Sequence, residues 1–237
     1  MSTIRLDSYS RTNPGNVREI NEDAYFSQPD LGIFAVADGM GGHSAGDVAS
    51  NKLVSALAKI KKAKKLSELV EFVEYHVLNV NKELFELGRQ NQNICGSTLV
   101  ALLVVENFCA YVWAGDSRLY RLRDGKLLQL TTDHTQTELY IEMGLIEKKD
   151  AEKFESRNRI TRAVGAAEHL VLDVEVEELR TGDRFLLCSD GLDKHLDHND
   201  IEQLLGKDSP ENVSKILVET ALKRGGNDNV TVCIVDV

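Results

Sequence analysis

The hydrophobic residues of this chain fall into short runs of strand length and longer segments with helical spacing. Continuous apolar runs of about four to eight residues are typical of strands with both faces buried. Residues 47–60 and 67–89 instead place apolar positions three or four apart, and Ser209-Pro210 marks another helix start. Helix pairs follow each block of strands, which predicts an α+β fold, a four-layer α-β-β-α sandwich with two central antiparallel sheets. Strand candidates lie at 3–9, 24–27, 33–37, 98–105, 108–113, 119–123, 126–130, 170–179, 183–189 and 230–235.

Acidic residues stand at the ends of several of these strands. Antiparallel strands place alternating chain ends at one edge of a sheet, so these carboxylates can converge there. A group of carboxylates repels itself strongly unless cations neutralise it. With no set of His or Cys ligands, oxygen-only coordination favours Mg²⁺ or Mn²⁺. Asp38, Asp116 and Asp190 follow an apolar run, Asp228 precedes one, and Glu22 and Asp23 precede another.

The stretch 31–46 holds the first of these carboxylates in a glycine-rich loop between a strand and a helix. Glycines let backbone oxygens approach a bound cation closely, as a hard metal ion requires. An ordinary turn at Asp38-Gly39 is the alternative. Asp124-Gly125 is such a turn, because a strand returns directly after it, whereas the loop after Asp38 enters a helix.

Composition narrows the classes of function. The 237 residues are 42% hydrophobic and contain no Pro/Ser-rich linker, which predicts one domain. A net charge of −10 argues against nucleic acid as the main partner. The four cysteines form no CxxC pair, and neither a signal peptide nor a membrane span is evident, which favours the cytoplasm. Nothing in the sequence demands more than a monomer.

Several polar segments leave alternatives open. Residues 135–158 are polar with sparse apolar points, which predicts a partly helical flap. The lysines of 61–65 form either a solvated helix connection, the favoured interpretation, or a basic patch for an anionic partner. Arg18 forms either a surface ion pair or a clamp for phosphate. His134 is expected to support loop structure near Asp133.

The predicted chemistry is hydrolysis of a phosphate ester. Two divalent cations about 3.5–4 Å apart can hold a bridging water and aim it at phosphorus. An arginine beside them can hold the phosphoryl oxygens. The sequence has no Cys-x₅-Arg loop and no G-x-x-x-x-G-K-[ST] loop, so these competing cysteine-nucleophile and nucleotide-binding motifs are missing.

Seven motifs in fixed order resemble those of the metal-dependent Ser/Thr protein phosphatases, the protein phosphatase 2C family, in its compact bacterial form. The resemblance covers essentially the whole chain and implies the same α-β-β-α sandwich. The motifs are Arg18-x-x-Asn-Glu-Asp, Val-Ala-Asp38-Gly39-Met-Gly-Gly-His, Gly96-Ser-Thr, Ala-Gly-Asp116-Ser-Arg, Leu-Thr-Thr-Asp133-His134, Cys-Ser-Asp190-Gly191 and Asp228-Asn229.

The resemblance also implies a role for each matching residue. Asp38, Asp190 and Asp228 would bind the first metal ion, while Asp38 and the Gly39 carbonyl would bind the second. Asp116 would share a weaker third ion with Asp190. Further roles follow in the same way: substrate phosphate binding for Arg18, water-mediated support of the metals for Glu22 and Asp23, support of the site for Asn229, and a variable flap for 135–158.

One position departs from the family pattern. Eukaryotic members have the sequence Asp-Gly-His in the central loop, and that histidine is their proposed general acid. Met40 stands there in this chain. His43, three residues further on, is either the donor of the leaving-group proton or a structural hydrogen-bonding residue.

Three functions fit these observations. The first is an active phosphatase for phosphoserine and phosphothreonine in proteins, opposing a cognate Ser/Thr kinase in bacterial signalling. The second is a non-catalytic relative that binds phosphoproteins. The third is a phosphoesterase acting on small molecules. Because the full set of metal-ligand positions and Arg18 is present, the sequence favours the first.

Overall fold

Two antiparallel sheets form the centre of the structure, a computed structural model that describes residues 5–41, 45–153, 159–206 and 208–237. The strands are β1 Asp7–Asn13, β2 Asp23–Gln28, β3 Ile33–Met40, β4 Gly96–Ser97, β5 Leu99–Val105, β6 Phe108–Ala114, β7 Arg118–Arg123, β8 Lys126–Gln129, β9 Asp173–Glu178, β10 Arg184–Cys188 and β11 Val230–Asp236. The α-helices are α1 Ala45–Leu57, α2 Leu66–Asn91, α3 Gln136–Glu142, α4 Asp190–Asp193, α5 His198–Leu205 and α6 Pro210–Lys223, and Lys148–Lys153 forms a 3₁₀-helix.

Each sheet combines strands that are distant from one another in the sequence. One has the strand order β1-β11-β10-β7-β8, and the other runs β2-β3-β5-β6-β9 with β4 paired to β3. All pairings between the named strands are antiparallel. The predicted hairpin of β5 and β6 is confirmed, with Glu106 and Asn107 forming its two-residue turn. The first and last strands of the described chain, β1 and β11, are neighbours in one sheet.

Three hydrophobic clusters separate four layers, as the predicted sandwich requires. Along β3, Phe34 and Val36 point into the cluster between the sheets, whereas Ile33 and Ala35 pack on the α1–α2 side. A third cluster lies between the other sheet and α4, α5 and α6. A strand that is covered on both faces needs apolar residues at every position, which is why β3 has a continuous apolar run rather than an alternating one.

The ends of two strands differ from the prediction. The apolar run was expected to stop at Asp38, but β3 continues to Met40 because Gly39 and Met40 pair with Ser97 and Gly96 of β4. A strand was predicted over 3–9, of which 3 and 4 lie outside the described residues; among the described residues β1 runs from 7 to 13, since its polar end pairs with β11. There the hydroxyls of Thr12 and Thr231 lie 2.7 Å apart across the two strands.

The helices follow their sequence signals more closely. Ser209 caps α6 as predicted, accepting a hydrogen bond from the Asn212 amide, and Pro210 begins the helix. The second helix begins at Leu66 rather than after a Ser67 cap, and Lys65 gives no side-chain cap. In the predicted flap, α3 and the 3₁₀-helix are present, while 154–158 lie outside the described residues. Within the described ranges, no helix is long and apolar enough to cross a bilayer.

Candidate active site

Asp38 lies where the two sheets meet, in direct register with Asp23 on the neighbouring strand. The segment after α2 fixes its backbone. Thr98 accepts a hydrogen bond from the Asp38 amide through Oγ1 at 3.0 Å, and its own amide donates to the Asp38 carbonyl at 2.8 Å. The Ser97 hydroxyl donates to the same carbonyl at 3.0 Å. The Gly96-Ser-Thr motif therefore positions the backbone that presents the Asp38 carboxylate.

Two glycines allow backbone segments to pack closely around the site. A Cβ on Gly39 would lie 2.1 Å from the Gly46 carbonyl oxygen, and one on Gly191 would lie 1.9 Å from that of Asn229. No real Cβ atom comes this close to another atom. The neighbouring atoms are backbone atoms, which cannot move aside as a flexible side chain could. The first contact brings the start of α1 against the Asp38 loop. The second brings α4, which begins with Asp190, against the segment that carries Asp228.

Asn229 ties the segment before β2 to the start of β11. Its side-chain oxygen accepts a hydrogen bond from the Glu22 amide at 2.8 Å. Its amide group donates to the carbonyls of Pro14 and Ile20 at 2.9 and 3.0 Å. These bonds place Glu22 and Arg18 beside the strand end that follows Asp228. Asn229 therefore joins three backbone segments next to Asp228.

The Lys194 ammonium group lies between two of the clustered carboxylates. It is 2.6 Å from Asp190 Oδ2 and 3.0 Å from Asp228 Oδ2. Arg18 approaches Asp228 from the other side, with Nε 2.9 Å from Oδ1. Burial alone would raise the pKa of Asp228, but the hydrogen bond from Lys194 and the charges of Lys194 and Arg18 outweigh it and lower that pKa.

Asp116 follows β6 at a corner that His134 holds in place. The Gly115 amide donates to His134 Nδ1 at 3.0 Å, and the His134 amide donates back to the Gly115 carbonyl at 2.9 Å. The imidazole stacks on the Trp113 ring with centroids 5.9 Å apart. Burial lowers the pKa of His134, although its bond to Asp173 opposes this. The loop-supporting role predicted for His134 thus matches its contacts.

A small acidic cavity of about 170 Å³ opens beside Asp116 and Asp190. Thr137 and Glu138 of the predicted flap form part of its wall. On the opposite side, Arg118 pairs with both Asp133 and Asp193, at 2.7 and 2.9 Å. The flap therefore contributes directly to the space around the third predicted metal site.

Burial and mutual repulsion raise the pKa values of the central carboxyls. Burial raises the pKa of Asp38 well above its usual range, and the charges of Asp23 and Asp190 add to the effect. Burial raises the pKa of Asp23 to about 7 despite its 2.7 Å hydrogen bond from the Ser189 hydroxyl. Burial and the charge of Asp190 also raise the pKa of Asp116 to about 7. A cation in the cluster would reverse these shifts.

Several carboxyl groups of the cluster have an oxygen without a hydrogen-bond partner. One oxygen in each of Asp23, Asp116, Asp190 and Asp193 is buried and has no hydrogen-bond partner among the described residues. Leaving buried polar atoms unsatisfied is costly, and a divalent cation would satisfy several together. Within the described part of the chain, no three His, Cys or acidic side chains form a complete metal-binding group. The lysine and arginine contacts to Asp190 and Asp228 provide the positive charge there instead.

The structure brings together Asp38, Asp116, Asp190, Asp228, Asp23, Glu22, Asn229 and Arg18 through the contacts and charges described above. His43 lies outside the described residues. Two participants were missed: Ser189, which bonds Asp23, and Lys194, one helical turn after Asp190. Ser189 lies within the Cys-Ser-Asp190-Gly191 motif, but no role was predicted for its side chain. The sequence analysis predicts no helix at Asp190–Asp193, so no helical spacing linked Lys194 to Asp190.

Comparison with known proteins extends this description. The family model described as Protein phosphatase 2C matches residues 16–223. Serine/threonine protein phosphatase PstP of Mycobacterium tuberculosis is 37% identical over 238 residues, which cover 99% of this chain and 46% of that protein. The chain thus spans about half the length of this curated relative.

Two solved structures share the fold over nearly their whole length. PppA, a key regulatory component of T6SS in Pseudomonas aeruginosa, superposes with a TM-score of 0.91 at 36% identity, covering 99% of this chain and 98% of PppA. The catalytic domain of serine threonine protein phosphatase PstP, in complex with two manganese ions, gives a TM-score of 0.86 at 34% identity. That alignment covers 98% of this chain and 97% of the PstP domain. Both confirm the predicted α-β-β-α sandwich.

Proposed function

The chain belongs to the protein phosphatase 2C family, and we propose that it is a metal-dependent phosphatase of phosphoserine and phosphothreonine in proteins. The observation that carries this proposal is the group of buried carboxylates with unpartnered oxygens at Asp116 and Asp190, together with Asp228, which pairs with the half-exposed Arg18. Oxygen ligands suit divalent cations, and a planar guanidinium suits phosphate. A negatively charged site thereby becomes one that accepts a phosphorylated substrate.

The donor set fits Mn²⁺ or Mg²⁺, with two ions in the core site and a weaker third. Asp38, Asp190 and Asp228 are proposed for the first ion, and Asp38 with the Gly39 carbonyl for the second. Asp116 and Asp190, whose unpartnered oxygens are buried beside the acidic cavity, are proposed for the third. When bound, such ions activate water as a nucleophile and neutralise charge that develops on the phosphoryl group.

The remaining residues are proposed to bind the substrate phosphate or to position the metal ligands. Arg18 is proposed to hold the phosphoryl oxygens, and its side chain is 54% exposed, within reach of a substrate. Glu22 and Asp23 support the metal ligands, with Asn229 fixing the Glu22 backbone through its 2.8 Å hydrogen bond. His43 completes the proposed catalytic set as donor of the leaving-group proton.

The proposed setting is bacterial signalling, in which the protein opposes a cognate Ser/Thr kinase. We propose that it acts in the cytoplasm as a monomer, with 1–237 forming one catalytic domain and 135–158 its flap. The four cysteines are buried free thiols, as expected of a reducing compartment. The net charge of −10 disfavours nucleic acid as a partner.

Metal dependence provides the first test of the function. Metal-stripped protein should not hydrolyse a phosphothreonine peptide, and Mn²⁺ or Mg²⁺ added back should restore hydrolysis, because the proposed nucleophile is a water that the metal ions activate. Initial rates would be measured across a metal titration, with and without chelator. Inhibitors of the unrelated dinuclear Ser/Thr phosphatases would serve as the specificity control and should have no effect. Metal binding in a calorimeter without hydrolysis at any concentration would contradict the proposal.

Arg18→Ala is expected to raise the KM for a phosphothreonine peptide by about tenfold with a smaller effect on kcat. The substitution removes a phosphate contact that is made in both the ground state and the transition state. Steady-state kinetics would measure both constants. Arg89→Ala is the matched control, because Arg89 forms an exposed pair with Glu86 on α2. An unchanged KM in Arg18→Ala would remove Arg18 from the proposed site.

A further inference from the structure

A groove of about 910 Å³ runs between α1 and α2 and shares none of its lining with the carboxylate cluster. We propose that this α1–α2 groove is a docking site for an acidic segment of the protein substrate. The proposal rests on the function given above and adds a second contact area to it. The groove is lined by, among others, Val48, Lys52, Lys59, Tyr75, Lys82 and Glu83.

The charge of the α1–α2 groove is opposite to that of the whole chain, whose net charge is −10. Three lysines line it against one glutamate, and Lys52 already pairs with Glu83 at 2.8 Å. Lys59 and Lys82 are exposed and have no ion-pair partner among the described residues. The exposed lysines of 61–65 continue the positive surface beyond Lys59. Carboxylates of a bound segment would supply the missing partners.

The α1–α2 groove also offers apolar contact that a purely electrostatic surface lacks. Tyr75 is 65% exposed and Val48 is 41% exposed, while Ala56 and Val80 are buried beneath them. The Tyr75 ring is held edge-on against His76, with centroids 5.5 Å apart. An exposed aromatic ring beside unpaired lysines suits a peptide that carries both carboxylates and apolar side chains.

The position of the α1–α2 groove connects it to the proposed active site. Gly46, in the first turn of α1, packs against Gly39 so closely that neither position has room for a side chain. Val48, the nearest groove residue, is two positions further along the same helix. From Val48 to Leu57, the last residue of α1, the helical rise is about 14 Å, which about four residues of extended peptide would span. A segment flanking the phosphorylated residue can therefore occupy the groove.

The test compares two double variants that change net charge equally. Lys59→Glu/Lys82→Glu alters the groove, and Lys126→Glu/Lys215→Glu alters exposed lysines elsewhere on the surface. Phosphothreonine peptides would carry about six glutamates on either flank, or serines instead. We expect glutamates on one flank to lower KM about tenfold for the unaltered protein and the control variant. The groove variant should lose this preference and keep its kcat for p-nitrophenyl phosphate.

A binding assay separates failure of the docking site from failure of the proposed phosphatase. Fluorescence anisotropy would follow a labelled, non-phosphorylated acidic peptide, which requires no catalysis. Binding that is lost only in the groove variant supports the docking site even if no hydrolysis occurs. Equal preference for acidic peptides in the groove variant and the unaltered protein overturns it. Equally tight binding of an oligonucleotide of matching charge also overturns it, because the groove would then be a general anion site.

Discussion

Asp190→Ala is expected to reduce hydrolysis of a phosphothreonine peptide about a thousandfold or more, since Asp190 is proposed to serve two metal ions at once. One of its oxygens is buried without a partner and the other lies 2.6 Å from Lys194. Removal of one carboxylate from a crowded acidic group also relieves repulsion. The fold should therefore survive, with a melting temperature near that of the unaltered protein. Activity, calorimetric Mn²⁺ binding and thermal unfolding would be measured together.

Asp30→Ala is the matched control for this variant, because Asp30 is exposed in the turn between β2 and β3. It should keep activity and metal binding. Asp190→Ala with full activity would contradict its proposed role as a shared ligand. Loss of activity together with a large fall in melting temperature would point instead to a structural role, and Asp190→Asn would then show whether shape alone restores the fold.

Much of the sandwich could be predicted because local sequence and tertiary position agree. In β3 every residue from Ile33 to Ala37 is apolar, and the structure buries all of them between two covered faces. The cap at Ser209 and the turn at Glu106 are likewise local signals. Pairing of β3 with the two-residue strand β4 was not predictable, since it depends on a contact between segments more than fifty residues apart. The position at which such a strand ends depends on its pairing in the tertiary structure rather than on the β-propensity of its residues.

In the candidate site, too, residues marked by their neighbours in the sequence were predictable, whereas contacts between distant segments were not. The carboxylates of Asp38 and Asp228 were predictable because each lies beside an apolar strand. The Ser189 hydroxyl, 2.7 Å from Asp23, depends on two strands from different sheets meeting, which no sequence spacing reveals. Lys194 was missed because α4 has only four residues, too few for a helical pattern.

The Lys194 ammonium group places a positive charge among the proposed metal ligands, where it opposes the binding of a metal ion. Its side chain is 32% exposed and pairs with both Asp190 and Asp228, two of the three residues proposed for the first metal ion. Burial alone would lower the pKa of Lys194, but the charge of Asp190 and hydrogen bonds to both carboxylates raise it. The ammonium group is therefore charged at neutral pH. A divalent cation at these carboxylates must compete with it and is repelled by it.

Lys194→Met is expected to strengthen Mn²⁺ binding on the order of 10- to 100-fold, because it removes a like charge about one ion-pair distance from the metal ligands. Metal-stripped Lys194→Met should melt about 5 °C lower than the metal-stripped unaltered protein, since Asp190 loses its partner. The Mn²⁺-loaded forms should melt at similar temperatures. Calorimetry and thermal unfolding measure these effects without reference to activity.

A gain in Mn²⁺ affinity together with a loss of stability in the stripped protein distinguishes competition from simple structural support. A lysine that only stabilised the fold would lower the melting temperature of the stripped and loaded proteins alike and leave Mn²⁺ affinity unchanged. A lysine that pre-arranged Asp190 and Asp228 for metal would weaken Mn²⁺ binding when removed. Lys215→Met controls for loss of a lysine, because Lys215 is exposed on α6 and lies 3.9 Å from Glu219. Only tighter binding with a less stable stripped protein fits an ammonium group that occupies the carboxylates until a metal ion displaces it.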